Sequence, residues 1–270
     1  MNVNFLGGII GDVAGSVYEW HNAQDKNDIL FFKKGCRFTD DTVLTCAVMD
    51  WLVDSKSDNT EDSQSILKNK LRIYGNAHPG AGYGSMFRNW LNDPEGKMEY
   101  PSFGNGSGMR CSGCGFVAKT YDEALILAKN SALPTHGHIE GIKGAQAIAG
   151  AIWLARNGEN KNYIKHKIGK DFEYNLKLKA DEVHDSHPFD ATCQVTVPEA
   201  IAAFLESNSF EDCFEKAIWI GGDSDTIADM ACAIAGAYYG IPSWHQEYVM
   251  KLLPEDLKNA IKKFDNYVQF

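Results

Sequence analysis

Residues 221–240 read GGDSDTIADMACAIAGAYYG, and this stretch does most to decide the fold. From residue 225 to residue 239 its apolar and small side chains recur at helical spacing, which predicts a helix. Residues 139–156 (IEGIKGAQAIAGAIWLAR) have the same small-residue composition. Because small side chains let two helices approach closely, we predict that these two helices lie at the centre of the molecule.

Helical patterns continue outward from these two segments. Further helices are predicted for residues 42–53, 61–75, 121–132, 197–206, 210–219 and 255–268. Pro198 is placed near the first turn of its helix, a favourable position for proline. The polar, lysine-rich residues 157–190 are interpreted as a surface helix and loop. No series of short alternating strands, no linker and no internal repeat is found, so we predict one all-α domain over residues 1–270.

Composition and charge exclude several classes of protein and of partner. The chain has 270 residues, of which 44% are hydrophobic and 23% charged, as in ordinary globular proteins. A net charge of −10 disfavours nucleic acids and anionic membranes as partners. Seven scattered cysteines do not form a disulfide framework, and neither a signal peptide nor a membrane span is evident. We therefore expect a cytoplasmic protein. The expected oligomeric state is a monomer.

Two short segments combine carboxylates with hydroxyls at predicted helix starts. The first contains Thr39, Asp40 and Asp41, and the second reads GGDSDT over residues 221–226. Each alone is explained by helix capping and by the favourable interaction of acidic residues with a helix N-terminus. Together they bring four carboxylates, which repel one another unless a hard divalent cation such as Mg²⁺ or Mn²⁺ lies between them. The pair of segments therefore favours a metal site.

The first twenty residues carry a glycine pattern, since Gly11, Gly15 and Glu19 are four residues apart. This spacing places the three on one helical face, where the glycines would admit another backbone. Simple packing is the competing interpretation. Asp12 is expected to be a structural hydrogen-bonding residue.

Two glycine-rich loops come later, GAGYG at residues 80–84 and SFGNGSGMR at residues 102–110. Such loops expose backbone N–H groups that can bind phosphate. Downstream, His136 and His138 could combine with the Cys111-x-x-Cys114 pair in a zinc site. Buried thiols are the favoured interpretation, because zinc sites of this kind need a second ligand pair at a suitable spacing.

Taken together, these segments resemble the ADP-ribosylglycohydrolases, also called ADP-ribosyl-acceptor hydrolases, which are related to the dinitrogenase reductase-activating glycohydrolase. The matching elements occur in the family's order and cover nearly the whole chain: GDVAGSVYE, FTDDT, GYG, SFGNGSGMR, TH at 135–136 and GGDSDTIADMACAIAGAYYG. The likeness is greatest to members that cleave serine-linked ADP-ribose and poly(ADP-ribose). The resemblance implies a compact orthogonal bundle of helices around a central binuclear Mg²⁺ site, with Mn²⁺ as a possible substitute.

The resemblance also assigns roles to residues. It implies that the metal ions are held by Thr39, Asp40, Asp41, Asp223, Asp225 and Thr226. Glu19 matches a glutamate on a mobile segment that can reach one metal. The catalytic carboxylates are expected among Glu19, Asp40 and Asp41, with Glu19 or Asp40 orienting water or assisting proton transfer.

The substrate contacts follow from the same resemblance. They are Asp40, Gly82, Ser102, Phe103, Gly104, Asn105, Gly106, Ser107, His136 and Ala191. The loop at residues 102–107 matches the segment that holds the diphosphate and its ribose, with Phe103 near the adenosine half. Ala191 corresponds to an adenine-pocket residue. The chain is shorter than the animal members over residues 157–195. The adenosine pocket and any polymer-binding surface are therefore expected to differ from those of the animal members.

The implied function is a Mg²⁺-dependent glycosidase that releases ADP-ribose from an acceptor. The acceptor is a protein serine or arginine side chain, an ADP-ribose polymer, or a small ADP-ribose derivative. The alternative is an ADP-ribose-binding module without catalysis. A metal-dependent phosphohydrolase is disfavoured, because most such all-α enzymes need His-Asp pairs and neither carboxylate segment contains histidine.

Overall fold

The computed structural model describes residues 3–57, 60–93, 100–184 and 189–268. Within these ranges no strand forms, and the only β pairing is two isolated bridges that join Pro101 to His136 and Gly104 to Thr192. The prediction of an all-α fold is confirmed. Residues 185–188, which belong to the segment predicted as surface helix and loop, lie outside the described ranges. The helices are α1 (Gly7–Gly15), α2 (Asp40–Asp54), α3 (Glu61–Ala77), α4 (Ser85–Leu91), α5 (Gly106–Met109), α6 (Ser112–Val117), α7 (Tyr121–Ala132), α8 (Ile139–Arg156), α9 (Lys161–Phe172), α10 (Ala180–His184), α11 (Cys193–Glu206), α12 (Phe210–Ile220), α13 (Ser224–Tyr239), α14 (Ser243–Leu252) and α15 (Glu255–Val268), with 3₁₀ turns at Asn4–Leu6 and Lys26–Asp28.

Local signals fix most helix boundaries. Helices α7, α8 and α15 have the predicted bounds. The side chains of Thr60, Thr120 and Ser209 each accept a hydrogen bond from a backbone N–H in the first turn of the helix that follows. These bonds satisfy N–H groups that have no partner within the helix, and they explain why the starts of α3, α7 and α12 could be predicted.

The prediction for α11 was wrong at its start. The helix begins at Cys193, so Pro198 lies inside it. Buried Cys193 and Val197 extend the apolar face upstream of the proline, and the backbone N–H of Cys193 is held by the carbonyl of Phe103. The polar segment after residue 157 contains two helices, α9 and α10, where one was predicted. Helices α4, α5, α6 and α14 were not predicted, since each is short or follows glycine- or proline-containing sequence.

The centre of the fold is formed by α13 and α8, as predicted, with α1 packed directly on α13. A Cβ atom at Gly7 would lie 2.1 Å from the carbonyl oxygen of Cys232, and one at Gly11 would lie 2.2 Å from that of Ala228. Both distances are far below van der Waals contact. The two backbones therefore meet without a side chain between them, which only glycine allows.

Glu19 does not share the helical face of Gly11 and Gly15, because α1 ends at Gly15 and Glu19 lies in the turn beyond it. The hydroxyl of Ser16 donates to the carbonyl of Val13 at the end of the helix. The phenol of Tyr18 also bonds the backbone of Leu30. These contacts stop the helix and hold the turn that presents Glu19.

All seven cysteines are free thiols, and six of them are buried while Cys36 is partly exposed. No helix among the described residues combines the length and the apolar character needed to span a membrane.

Candidate active site

The start of α2 is held in place by a buried carboxylate on α1. Asp12 accepts hydrogen bonds from the backbone N–H and the hydroxyl of Thr39, at 3.0 and 2.6 Å, and from the N–H of Thr42 at 3.1 Å. The hydroxyl of Thr42 also donates to it. With four bonds inside the protein, Asp12 has the structural role expected from the sequence, and it fixes where Asp40 and Asp41 stand.

The start of α13 is set by two glycines with left-handed backbone. Gly221 and Gly222 have φ of +85° and +70°, a region that side chains other than glycine rarely occupy. The amide oxygen of Asn22 accepts a hydrogen bond from the N–H of Gly222 at 3.2 Å. This bond joins the segment after Glu19 to the turn that carries Asp223 and Asp225.

These elements bring five carboxylates together, and we call Glu19, Asp40, Asp41, Asp223 and Asp225 the carboxylate wall. Oxygens of Glu19, Asp223 and Asp225 all lie within 4.8 Å of one another. Asp225 and Asp40 raise the pKa of Asp41 by charge repulsion, in addition to the larger effects of burial and Asp12. The two helix starts that the sequence singled out therefore face each other.

The carboxylate wall is unstable as a set of free anions. Burial, and next the charge of Asp12, raises the pKa of Asp40 to about 8. Burial raises the pKa of Asp225 well above its usual range, and the charges of Asp223 and Glu19 raise it further. One oxygen of Asp41 is buried without a hydrogen-bond partner. Crowded carboxylates with an unpartnered oxygen fit a hard divalent cation, which prefers oxygen ligands.

The opposite side of the cavity is formed by the glycine-rich loop and His136, and we call Ser102, Gly104, Asn105, Gly106 and His136 the glycine-loop wall. Several of its polar groups are paired within the protein. The N–H of Gly104 donates to the hydroxyl of Ser102 at 3.0 Å, and the N–H of Asn105 donates to the carbonyl of Ala191 at 2.9 Å. The side chain of Asn105 donates to Asp223 at 2.7 Å, which ties the two walls together.

The ring of His136 lies under this loop. A Cβ atom at Gly106 would be 3.0 Å from its Nε2 atom, so the absence of a side chain there makes room for the histidine. Burial lowers the pKa of His136 well below its usual value, and the charge of Arg110 lowers it further. His136 is therefore a neutral imidazole near pH 7.

The two walls enclose a cavity of about 390 Å³. Most residues predicted for the site line it: Glu19, Thr39, Asp40, Asp41, Gly82, Ser102, Gly104, Asn105, Gly106, His136, Ala191, Asp223, Asp225 and Thr226. Gly82 has φ of +110°, and a Cβ atom there would lie 3.3 Å from a carboxylate oxygen of Asp40.

Two predicted substrate contacts lie elsewhere. Phe103 is 46% exposed and its ring packs edge-on against His138, outside the cavity lining. Ser107 is fully buried, and its hydroxyl donates to the carbonyl of Gly141 at 2.7 Å. The Ser107 side chain thus secures the loop to α8 and does not face the cavity.

Several lining residues were missed by the sequence analysis. At the mouth, Trp20 and Phe189 stack with ring centroids 5.1 Å apart and planes 14° apart. Arg37 and Tyr100 also line the cavity. Each of these four is adjacent or close in sequence to a predicted site residue, and that proximity is the only sequence signal for them.

The possible zinc ligands do not form a site. The thiol of Cys111 donates to the carbonyls of Gly108 and Ala145, and burial raises the pKa of Cys114 to about 12. Across the described ranges, the metal-ligating side chains that come together are those of Glu19, Asp223 and Asp225.

Comparison with known proteins adds a family and several relatives. The ADP-ribosylglycohydrolase family profile matches residues 4–268. ADP-ribosylhydrolase ARH3 of Homo sapiens is 26% identical over an alignment that covers 89% of this chain and 86% of that protein. ADP-ribosylarginine hydrolase Tri1 of Pseudomonas putida (strain GB-1) is 25% identical, with coverage of 92% and 72% respectively.

A solved structure described as an "ADP-ribosylglycohydrolase-related protein complex" has the same fold. It superposes with a TM-score of 0.68 at 21% sequence identity, covering 98% of this chain and 96% of that one. This likeness supports the helical architecture alone.

Proposed function

This chain belongs to the ADP-ribosylglycohydrolase family and hydrolyses ADP-ribosyl glycosidic bonds, and from that premise we propose a Mg²⁺-dependent reaction that removes ADP-ribose from a protein side chain or from an ADP-ribose polymer. The observation that carries the proposal is the meeting of two helix-start carboxylate clusters at one cavity, opposite a glycine-rich loop. The family match spans residues 4–268, which supports a single domain over residues 1–270.

The proposed cofactor is a pair of Mg²⁺ ions, with Mn²⁺ as a possible substitute. The proposed ligands are Thr39, Asp40, Asp41, Asp223, Asp225 and Thr226, with Glu19 within reach of Asp223 and Asp225. When bound, such ions supply positive charge that polarises oxygen atoms of the substrate and of water. They also relieve the repulsion within the carboxylate wall, which is the physical support for their presence.

The residues of the chain have distinct tasks in the proposed reaction. Glu19 orients a water molecule and takes its proton, while the water oxygen bonds to the anomeric carbon of the distal ribose. The bond from that carbon to the acceptor breaks, and the proton taken up by Glu19 passes to the leaving acceptor, which balances the hydrolysis. Carboxylates such as Asp40, which bound divalent cations would keep ionised, stabilise the positive charge that develops on the sugar in an oxocarbenium-like transition state.

The glycine-loop wall is the proposed binding surface for the rest of ADP-ribose. The backbone of the loop at Gly104 and Gly106 is proposed to border the diphosphate and its ribose, and the ring of His136 is proposed to contact them. These groups are neutral, so they accept an anionic ligand without adding charge to an already crowded site. Ala191, which is hydrogen-bonded to the loop, is proposed to border the adenine.

ARH3 and an ADP-ribosylarginine hydrolase are both similar to this chain. They support the reaction, but they do not single out one acceptor. The test is a panel of serine-linked, arginine-linked and polymer-linked ADP-ribose, incubated with Mg²⁺ or with EDTA and scored for released ADP-ribose. We expect release from at least one substrate with Mg²⁺ and none with EDTA. Tight ADP-ribose binding without release from any substrate would instead support the alternative of a binding module.

A further inference from the structure

Three buried side chains form a line that ends at the cavity. One Nη atom of Arg110 donates to the carbonyl of Ser131 at 2.7 Å and to the hydroxyl oxygen of Thr135 at 2.9 Å. The hydroxyl oxygen of Thr135 lies 2.8 Å from Nδ1 of His136. Arg110 and Thr135 are fully buried and His136 is 7% exposed, so water does not compete for these contacts.

The donor and acceptor capacities of these three side chains determine where each hydrogen lies. A guanidinium only donates hydrogen bonds, so the Thr135 oxygen must accept from Arg110. A hydroxyl that accepts from a cation becomes a better donor and a weaker second acceptor, because successive hydrogen bonds polarise one another. Its single proton is then best used toward Nδ1 of His136. The buried phenol oxygen of Tyr100 has no hydrogen-bond partner in the structure, so it does not take up the Thr135 proton.

We propose that Arg110 and Thr135 are positioning residues that fix the tautomer of His136, so that Nδ1 accepts from Thr135 and Nε2 carries the hydrogen. Nε2 is the ring atom that faces the glycine loop, near Gly104 and Gly106. The arrangement presents a neutral, fixed hydrogen-bond donor to the cavity, which suits an oxygen acceptor such as a diphosphate oxygen. A protonated ring is disfavoured by the nearby charge of Arg110.

The consequence for the ligand rests on the proposed function, since it assumes that ADP-ribose occupies this cavity. The proton arrangement itself does not, because it concerns the free protein. The two parts can therefore fail separately. Arg110 is a poor target for mutation, because its loss would leave a buried carbonyl and a buried hydroxyl without a donor. Thr135 offers the cleaner test.

The first measurement is ¹⁵N NMR of the free protein with labelled histidine. The chain has eight histidines, so the signals of His136 are assigned by their loss in His136→Gln. We expect a single neutral tautomer with hydrogen on Nε2 and a hydrogen-bonded Nδ1. Hydrogen on Nδ1, or a doubly protonated ring at pH 7, would overturn the proposal. In Thr135→Val the Nδ1 signal should shift to that of a nitrogen without a hydrogen bond.

The second measurement is calorimetric binding of ADP-ribose in the presence of Mg²⁺. Thr135→Val, which keeps the shape but removes the hydroxyl, should weaken binding about three- to tenfold, the scale of one hydrogen bond. Thr135→Ser keeps the hydroxyl and should restore both the affinity and the NMR signature. Wild-type affinity in Thr135→Val would overturn the positioning role. Absence of ADP-ribose binding in the wild type would refute the proposed function. The NMR measurement alone would then decide the tautomer of His136.

Discussion

The carboxylate wall and the glycine-loop wall face each other across one cavity but differ in how their polar groups are satisfied. Carboxylates dominate the first, where burial and mutual repulsion raise the pKa values of Asp41 and Asp225 well above their usual range. Neutral groups make up the second, where Gly104 and Asn105 are paired with other parts of the chain. The first wall needs a cation to offset its charge, while the second is neutral and is held in place by hydrogen bonds within the chain. Chemistry and binding should therefore respond differently to mutation.

Removal of a carboxylate from the carboxylate wall is expected to have the largest effect on turnover. We expect Asp40→Ala and Asp225→Ala to lower turnover by about 10³-fold or more, the scale on which a main electrostatic contributor acts. The fold should survive, because each change relieves repulsion within the wall. Turnover in excess Mg²⁺ and thermal melting without metal are the measurements, with exposed Asp62→Ala as the matched control. Near-wild-type turnover in either variant would show that the carboxylate wall is not the reaction centre.

A Glu19 variant tests whether the carboxylates of the carboxylate wall have different roles, some binding metal ions and one transferring a proton. Glu19→Gln should lower single-turnover rates by about 10²- to 10⁴-fold, as expected for loss of a general base. Affinity for ADP-ribose should change little, since the glycine-loop wall is intact. Exposed Glu61→Gln serves as the control. An unchanged rate would make Glu19 a packing residue, the interpretation that its glycine-rich neighbourhood also allows.

The pH dependence of folding stability tests the carboxylate wall without any substrate. The pKa of Asp40 is raised from 3.8 to about 8 in the folded protein. Asp40 therefore stays protonated to a higher pH in the folded state than in the unfolded state. Its contribution to stability is therefore full below pH 4 and is lost as pH rises toward 8.

Divalent cations should reverse this loss. Thermal melting at pH 5 and pH 8 should show a larger gain from Mg²⁺ at pH 8, of about 2.7 kcal/mol in unfolding free energy when Mg²⁺ is at 100 times its dissociation constant. EDTA is the control for the wild type, and Asp225→Ala should gain less. An equal gain at both pH values would contradict the assignment of Asp40 to the metal.

The smallest expected effect lies at the mouth, where the segments that carry the two walls touch. Trp20 follows Glu19, and Phe189 precedes the Ala191 contact with the glycine loop, so their ring stack bridges the walls. A stacked pair contributes about 0.5–1.5 kcal/mol. Trp20→Ala should therefore raise KM about two- to tenfold with kcat little changed, while exposed Trp244→Ala should be neutral. A large loss of kcat would show that the stack positions Glu19.

The contrast between the walls also explains what could be predicted from the sequence. The carboxylate wall arises from helix starts, where acidic residues favoured in the first turn also face the cavity, so Asp40 and Asp225 were found from local pattern. The direction of Ser107 toward α8 depends on a contact with Gly141, distant in the chain, and no local pattern encodes it. Trp20 and Phe189 likewise meet only in the folded chain.

Helix ends that depend on distant contacts were also harder to predict. Glu19 was placed on a helical face by its spacing from Gly15, but the anchoring of Tyr18 to Leu30 ends the helix first. The start of α11 was missed because Phe103, far upstream, holds its first N–H. By contrast, α7 and α8 have their own caps and were predicted with correct bounds.

Helix α1 serves as a spacer between the two helix starts. One side of it touches the backbone of α13 through Gly11 and Gly15, and Asp12 on the same helix holds the start of α2. The gap between Asp41 and Asp225 is therefore set by the width of a single bare helix, not by loops that evolution lengthens or shortens freely. Adaptation to a cation of another size would have to exchange the ligating side chains themselves, because the backbone offers almost no adjustable distance.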